Sequence, residues 1–403
     1  MIILVLGQRE DCLSYLDYAA EHGHTVRFLD PPKLPGGDRA QWQRAVADAA
    51  RASVELVDVD DVVCFHDSFQ IQLELLRSEL GLPSRDVDAL LCLADKTRFK
   101  AHRTVREHIT RHIEVPLATK AADALAMARE TLQFPMVVKP SNGFYSAGVT
   151  RADDADSFVK AYIQARRVCT MLRDRTGESH LLVEEYLDGA EYAIDGVVSN
   201  GRILPLQLHR KLPPLAGPFF HEIAYLTEPF DPAKGADFVR MLTAIVPGVG
   251  LDNSPFHAEF RFDGSGRLRI LELAPRLCGG GTTTYEQLMI CSGIDAYDLL
   301  HRLGREDVDP RPTRNRVALE FDAPITRSGA LRNTAAAVAV CEKNDATTVL
   351  LHRQDGQFVL APPLNFETVL TAYFGRDTRT EAEALLDILL TDCTIETEME
   401  AQS

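Results

Sequence analysis

The sequence predicts a mixed α/β fold: an N-terminal open α/β domain, a smaller sheet-and-helix subdomain, and a larger domain built on antiparallel sheet. Three observations predict it. First, "MIILVLG", a helical stretch from Cys12 to Glu21 stopped at Gly23, and a strand over Thr25–Leu29 form a β-α-β opening. Second, "FPMVVKPSNGFYSAGV" is a short apolar strand that runs into a lysine and then a Ser/Asn/Gly loop. Third, "FHAEFRFDGSGRLRILELAPR" alternates apolar and polar residues on both sides of a Gly264-Ser265 turn, the pattern of an antiparallel hairpin.

The elements follow in order. "DDVVCFHD" and "SFQIQLELLRSELG" repeat the strand-then-helix order, so about the first 95 residues form the open α/β domain. From Leu91, "LADKTRFKAHRTVREHITRH" reads as a basic helical stretch, and "VPLATKAADALAMARETLQ" ends in another helix. A helix from Ala155 to Arg173 follows the lysine loop. "HLLVEEYLDGAEYAIDGVVSNGRILPLQLHRK" then reads as two strands joined at Asn200-Gly201. In the later hairpin, Phe256, Ala258, Phe260 and Phe262 share one face, and His257, Glu259 and Arg261 the other. Pairing Asp263 with Gly266 sets Glu259 opposite Ile270 and His257 opposite Glu272. Glu259 and Glu272 become diagonal neighbours about 7–8 Å apart on the polar face. Near the C-terminus, "AAAVAVCE" and "TTVLLHR" read as strands, Gly356 turns into "QFVLAPP", "TEAEALLDILL" is helical, and the tail "ETEMEAQS" is frayed.

Composition narrows the function. The 403 residues suit two to four domains or subdomains, with 45% hydrophobic and 25% charged residues, a globular profile. A net charge of −16 disfavours nucleic acid and anionic lipid as partners. The eight cysteines are scattered, without a C-x-x-C pair, which fits reduced thiols and a cytoplasmic protein. No run reaches the roughly 18 apolar residues of a membrane span, and the N-terminus reads as a strand rather than a signal peptide. The lone glycine after the first strand is not a dinucleotide fingerprint, and the lysine loop is not a P-loop.

Three constellations carry chemistry. Two carboxylates converging at Glu259 and Glu272 repel unless a cation sits between them, and a hard divalent ion such as Mg2+ fits oxygen ligands. In isolation the same pair reads as rim residues matched with Arg261 and Arg269. Lys139 at a strand end, backed by a glycine loop, suits phosphate oxygens; alone it is an ordinary strand end. "LLVEEYLDGAEY" runs a strand into an irregular segment with free backbone groups, as an adenine edge needs, and Glu191 follows as a ribose acceptor; alone it is an acidic surface hairpin. Their order is more telling than any one of them.

That order resembles the ATP-grasp superfamily, in its carboxylate–amine ligase branch of L-amino acid ligases, from about Leu80 to the end. "GLPS" with "DKTRFKAHR" looks like the entry motif, "FPMVVKPSNGFYSAGV" the phosphate lid, "VEEYLDGAEY" the adenine hinge, and "HAEFRF" with "ILELAPRLCGGG" the metal hairpin. "GQFVLAPPLNFETVLTAYFGRDTRTEAEALL" is similar to the closing segment. The resemblance implies four parts: an N-terminal domain (1–95), an ATP-binding lid subdomain with linker helices (96–190), a metal and catalytic subdomain (191–310) and a C-terminal subdomain (311–403). Lys96 and Lys139 would contact ATP phosphates, with Ser146 and the backbone near Gly148 closing the lid. Glu184, Glu185 and Leu187 would hold adenine, mostly through the backbone, and Glu191 the ribose. Glu259 and Glu272 would bind Mg2+, for which Mn2+ can substitute. Arg276 would steady the transferring phosphoryl group, and Glu222 of "FFHEIAYLTEP" would line the substrate or metal site.

Two departures stand out. Relatives commonly carry Asn where this chain has Ala274, and His where it has Tyr225, which leaves the third metal ligand and the substrate pocket open. The implied reaction has a small-molecule carboxylate attack ATP to give an acyl-phosphate, which an amine then displaces. Homodimers are common in this branch. The alternatives are another ATP-grasp ligase, of purine-pathway or biotin-carboxylase type, and an inactive nucleotide-binding scaffold, which Ala274 would favour.

Overall fold

The computed structural model describes residues 1–8, 12–34, 38–143, 146–176, 180–362 and 368–398. The N-terminal part holds β1 (Ile2–Leu6), α1 (Leu13–Glu21), β2 (Thr25–Leu29), α2 (Arg39–Ala52), β3 (Asp61–Val63) and α3 (Gln70–Glu79). Its three strands are parallel in the order β2-β1-β3, as the apolar, non-alternating β1 requires of a strand covered on both faces. Two short helices follow, α4 (Val87–Ala94) and α5 (Lys96–Ala101). Asp95 caps α5 by accepting the Thr97 N–H at 2.8 Å. The basic stretch read as helical is helical only to Ala101 and continues as turns and irregular backbone before residue 112.

Next comes a four-stranded sheet in the order β4-β7-β5-β6, with β4 (His112–Val115), α6 (Ala121–Arg129), β5 (Met136–Pro140), β6 (Thr150–Ala152), α7 (Ala155–Thr176) and β7 (Leu181–Glu185). Phe158, Tyr162 and Ala165 of α7 bury one face of it. Phe144, Tyr145 and the Pro363–Glu367 part of the closing segment lie outside the described residues, as does the tail from Met399.

The remaining chain forms β8 (Glu191–Ser199), β9 (Arg202–Leu212), β10 (Ala224–Pro229), α8 (Ala236–Ile245), β11 (Ser254–Phe262), β12 (Leu268–Ala274), α9 (Thr282–Cys291), α10 (Ala296–Arg302), β13 (Val317–Asp322), β14 (Gly329–Arg332), α11 (Thr334–Lys343), β15 (Ala346–Leu351), β16 (Phe358–Val359), β17 (Leu370–Arg376), α12 (Arg379–Asp392) and β18 (Glu396–Glu398). Eight of these strands make one antiparallel sheet, β12-β11-β8-β9-β10-β13-β17-β15, which draws on both sides of residue 310. The run "AAAVAVCE" is helical in α11 and not a strand. Alanine has the highest helix propensity and little side chain to pack on a sheet, so the four alanines outweigh the two valines.

One face of the β12-β11-β8 end is apolar. Phe256, Phe260, Ile270 and Leu273 pack beneath Phe238, Met241 and Leu242 of α8 and Phe99 of α5. Phe256 and Phe260 are fully buried, and each contributes about 1.5–3 kcal/mol. The opposite face carries the polar residues of the same strands. The N-terminal domain docks beside it. Arg85 donates to Pro275 O at 2.6 Å and Ser254 Oγ at 2.9 Å, and His301 of α10 links Tyr15 Oη (2.9 Å) to Asp61 Oδ2 (2.8 Å).

Candidate active site

Alternation along four strands places a continuous set of polar side chains on the open face. On β9 these are Gln207, His209 and Lys211, all buried; on β8, Glu191 and Asp195; on β11, His257 and Glu259; on β12, Glu272.

The hairpin register corrects the sequence reading. Phe262 pairs with Leu268 and Phe260 with Ile270, so the turn is one residue longer than Gly264-Ser265 alone allows. Asp263 organises that turn, with its carboxylate accepting the Ser265 and Arg267 N–H groups, both at 3.0 Å. A β-bulge then inserts Leu271, so Glu259 lies directly opposite Glu272 and not diagonally, and His257 faces Ala274. Ile270 and Leu273 can both reach the core only because of that extra residue.

Each of the paired glutamates has a lysine. Lys96 Nζ sits 2.9 Å from Glu272 Oε2, and Lys211 Nζ 2.7 Å from Glu259 Oε1. Burial would lower the Lys96 ammonium's pKa, but Glu272 outweighs it and raises it. Glu259 Oε2 and Glu272 Oε1 have no partner among the described residues, and both side chains are part-exposed. This donor set, two hard carboxylate oxygens facing each other with their charges partly balanced, fits a divalent ion such as Mg2+.

Lys211 was not a sequence candidate, yet it is the hub of the face. Its ammonium lies 2.8 Å from Glu191, 2.6 Å from Glu222 and 2.7 Å from Glu259. Burial opposes its charge, but the three carboxylates, Glu191 first, hold its pKa well above the usual lysine range. Glu222 also accepts a short hydrogen bond from Tyr225 Oη, which fixes it between β9 and β10. The signal for Lys211 was present in "LQLHRKL": three polar residues at alternate positions of an apolar strand imply a buried polar surface.

Lys139 and Glu184 meet, though the resemblance implies different tasks for them. Glu184 on β7 lies 2.9 Å from Lys139 Nζ and 3.0 Å from Lys100 Nζ, all three buried. Burial would raise the Glu184 carboxyl; the two ammoniums, Lys100 first, reverse this and pull it down to about 2. Burial lowers Lys100 to about 8 against the pull of Glu184. Lys96 and Lys100, one helical turn apart on α5, thus serve Glu272 and Glu184 respectively.

Glu185 turns outward to a two-pronged contact with Arg111 (2.8 and 3.1 Å). Leu187 is buried, and its backbone N–H has no partner among the described residues. A cavity of about 480 Å3 opens there, lined by Thr110, Arg111, Glu185, Leu187 and the hairpin turn at Asp263 and Gly264. Ser146 and Gly148 lie in the β5–β6 turn, both at positive φ, and a side chain at Gly148 would press Val168 at 3.1 Å. No hydrogen bond or ion pair joins these two to the lysine–glutamate cluster among the described residues. Arg276 is oriented by Asp67, 2.5 Å from its Nε, a partner supplied by the segment after β3. Burial works against the guanidinium charge, and Asp67 raises its pKa further above the usual range.

Residues 132–285 match the ATP-grasp domain family. The chain carries an ATP-grasp domain. The ATP-grasp enzyme fsqD of Aspergillus fumigatus is 26% identical over 267 residues, covering 62% of this chain and 42% of that protein. Alanine–anticapsin ligase of Bacillus amyloliquefaciens is 24% identical over 245 residues, covering 56% and 50%. The chain therefore spans about half the length of these curated relatives. The crystal structure of L-amino acid ligase from Bacillus licheniformis superposes with a TM-score of 0.80 over 98% of both chains at 19% identity, which shows the shared fold. The ATP-grasp match takes in β5, β7, the Lys211 hub and the glutamate hairpin.

Proposed function

We propose that this ATP-grasp chain is an ATP-dependent carboxylate–amine ligase that joins amino acids, or an amino acid and a related small acid, through an acyl-phosphate with release of ADP and phosphate. The observation that carries the reading is the opposed Glu259–Glu272 pair, each glutamate with one oxygen on a lysine and one open. Glu259 and Glu272 would hold Mg2+, or Mn2+ in its place. Bound there, the ion would supply charge to phosphate oxygens as a Lewis acid.

The chain's own groups do the rest. Lys96 and Lys139 offer ammonium charge at the edge of this face, and an arriving phosphate competes with Glu184 for Lys139. The Leu187 N–H and the adjoining cavity offer an adenine edge a donor and room, and Glu191 a ribose an acceptor. Ser146 and Gly148 belong to the turn that would fold over the phosphates. Arg276, aimed by Asp67, faces the developing charge of the transferring phosphoryl group. Glu222 and Tyr225 border the substrate side. Shielding from water matters because an acyl-phosphate hydrolyses. The segment between β9 and β10 helps, bridging to the small sheet where Arg151 N–H donates to Pro218 O at 2.8 Å.

Among the described residues no helix is long and apolar enough to cross a membrane. All eight cysteines are free, which supports a reducing, cytoplasmic setting. The test is a screen of amino-acid pairs with ATP and Mg2+, read by mass spectrometry. A condensed product formed in step with ADP is expected. Nucleotide turnover that yields AMP with every active pair sinks the proposal.

A further inference from the structure

Behind the hairpin glutamates lies a second donor set that the ligase reaction does not use. A ligand atom each from Cys278, His257 and Asp195 lies within 4.8 Å of the others, and all three residues are buried. His257 Nδ1 is 2.6 Å from Asp195 Oδ1. Thr284 locks the set in place: its hydroxyl accepts the Cys278 N–H and donates to Asp195 Oδ2, both at 2.7 Å. Gln207 adds a hydrogen bond to Asp195 at 3.0 Å. Among the described residues, no other cysteine belongs to such a group.

We propose that Cys278, His257 and Asp195 form a binding site for a thiophilic divalent ion of the Zn2+ class, distinct from the hard-cation pair Glu259 and Glu272. Thiolate and imidazole select Zn2+ and related ions over Mg2+, whose ligands are oxygens. Tetrahedral zinc bonds of about 2.3 Å to sulfur and about 2.0–2.2 Å to nitrogen and oxygen set the donors about 3.5 Å apart; His257 Nδ1 and Asp195 Oδ1, 2.6 Å apart, would separate by about 1 Å as the ion replaces the hydrogen bond between them. Thr284 and Gln207 act as outer partners that orient the carboxylate. The approach runs past Glu259, which is part-exposed and whose Oε1 is 3.5 Å from His257 Nε2. A water would complete the fourth position.

The test uses the full chain, stripped with chelator and titrated with Co2+ as the spectroscopic probe and Zn2+ as competitor. One equivalent of Co2+ should bind with a thiolate-to-cobalt charge-transfer band, be displaced by Zn2+, and resist a large excess of Mg2+. Cys278→Ser, which keeps size and backbone, should abolish the band. Thr284→Val should weaken Co2+ binding about 10–100-fold, the loss typical of an outer partner. Absence of the band in the parent, its persistence in Cys278→Ser, or its loss to Mg2+ would overturn the proposal.

Discussion

Replacing Lys211 with methionine is the most informative single change on the polar face. Methionine keeps most of the stem volume but leaves Glu191, Glu222 and Glu259 converging without their shared ammonium, where the three contacts are 2.6–2.8 Å. Removing one partner of a buried ion pair costs about 3–5 kcal/mol, because the other charge stays desolvated. Glu191 is the most buried of the three and carries most of that cost. Glu222 and Glu259 have side chains 33% and 20% exposed, so solvent softens theirs. The expected loss is about 3–5 kcal/mol, a large share of a total stability of about 5–15 kcal/mol. Urea unfolding gives the midpoint, and it is repeated with Mg2+ and Mn2+. The three carboxylates offer oxygens within 4.8 Å of one another, so a divalent ion should restore part of the loss in Lys211→Met and do less for the parent. The pH sign is also fixed. Lys211 has a pKa raised above its ordinary 10.5, so its contribution is complete below that pH and fades only as pH climbs through the higher folded value. An unchanged urea midpoint, with no ion response beyond the parent's, would refute the claim that Lys211 holds this face together.

Three further outcomes are expected. Glu184→Gln leaves Lys100 and Lys139 buried without their anion and should cost about 3–5 kcal/mol. Because Glu184 titrates at about 2 in the fold against an ordinary 4.5, the parent's advantage over the variant should shrink as pH falls from about 4.5 toward 2, as urea midpoints across that range will show. Asp322 has the opposite sign: burial first, then Glu222, raises it to about 7, so it holds a proton that the unfolded chain releases from about 3.8 upward. Parent stability relative to Asp322→Asn should therefore decline between those pH values and level off above 7, and a flat difference would contradict the assignment. Glu272→Gln should weaken Mn2+ binding, followed by paramagnetic relaxation, by at least about 10–100-fold, the range seen even for groups one layer out from a metal.

Much of the site was legible because strand alternation sorts residues onto faces. Phe256, Ala258 and Phe260 go to the core, and His257 and Glu259 to the open face, as the pattern requires. Register was not legible from alternation counted back from the turn, which misses the extra residues at Arg267 and Leu271. The clue was local: Ile270 and Leu273 are both apolar, three residues apart in a strand of period two, which only a bulge reconciles. Lys211, Asp195 and Asp67 were missed because their partners come from distant elements that one-dimensional spacing cannot bring together. The helix α11 was misread for a different reason, since a short apolar run has no period of its own.

In the proposed reaction the acid is activated by attack on the γ-phosphorus of ATP. A substrate carboxylate labelled with oxygen-18 tests this directly once an active pair is found. Attack on the γ-phosphate followed by amine displacement should place one labelled oxygen in the inorganic phosphate and leave the nucleotide product, ADP, unlabelled. Label recovered in AMP would contradict the account.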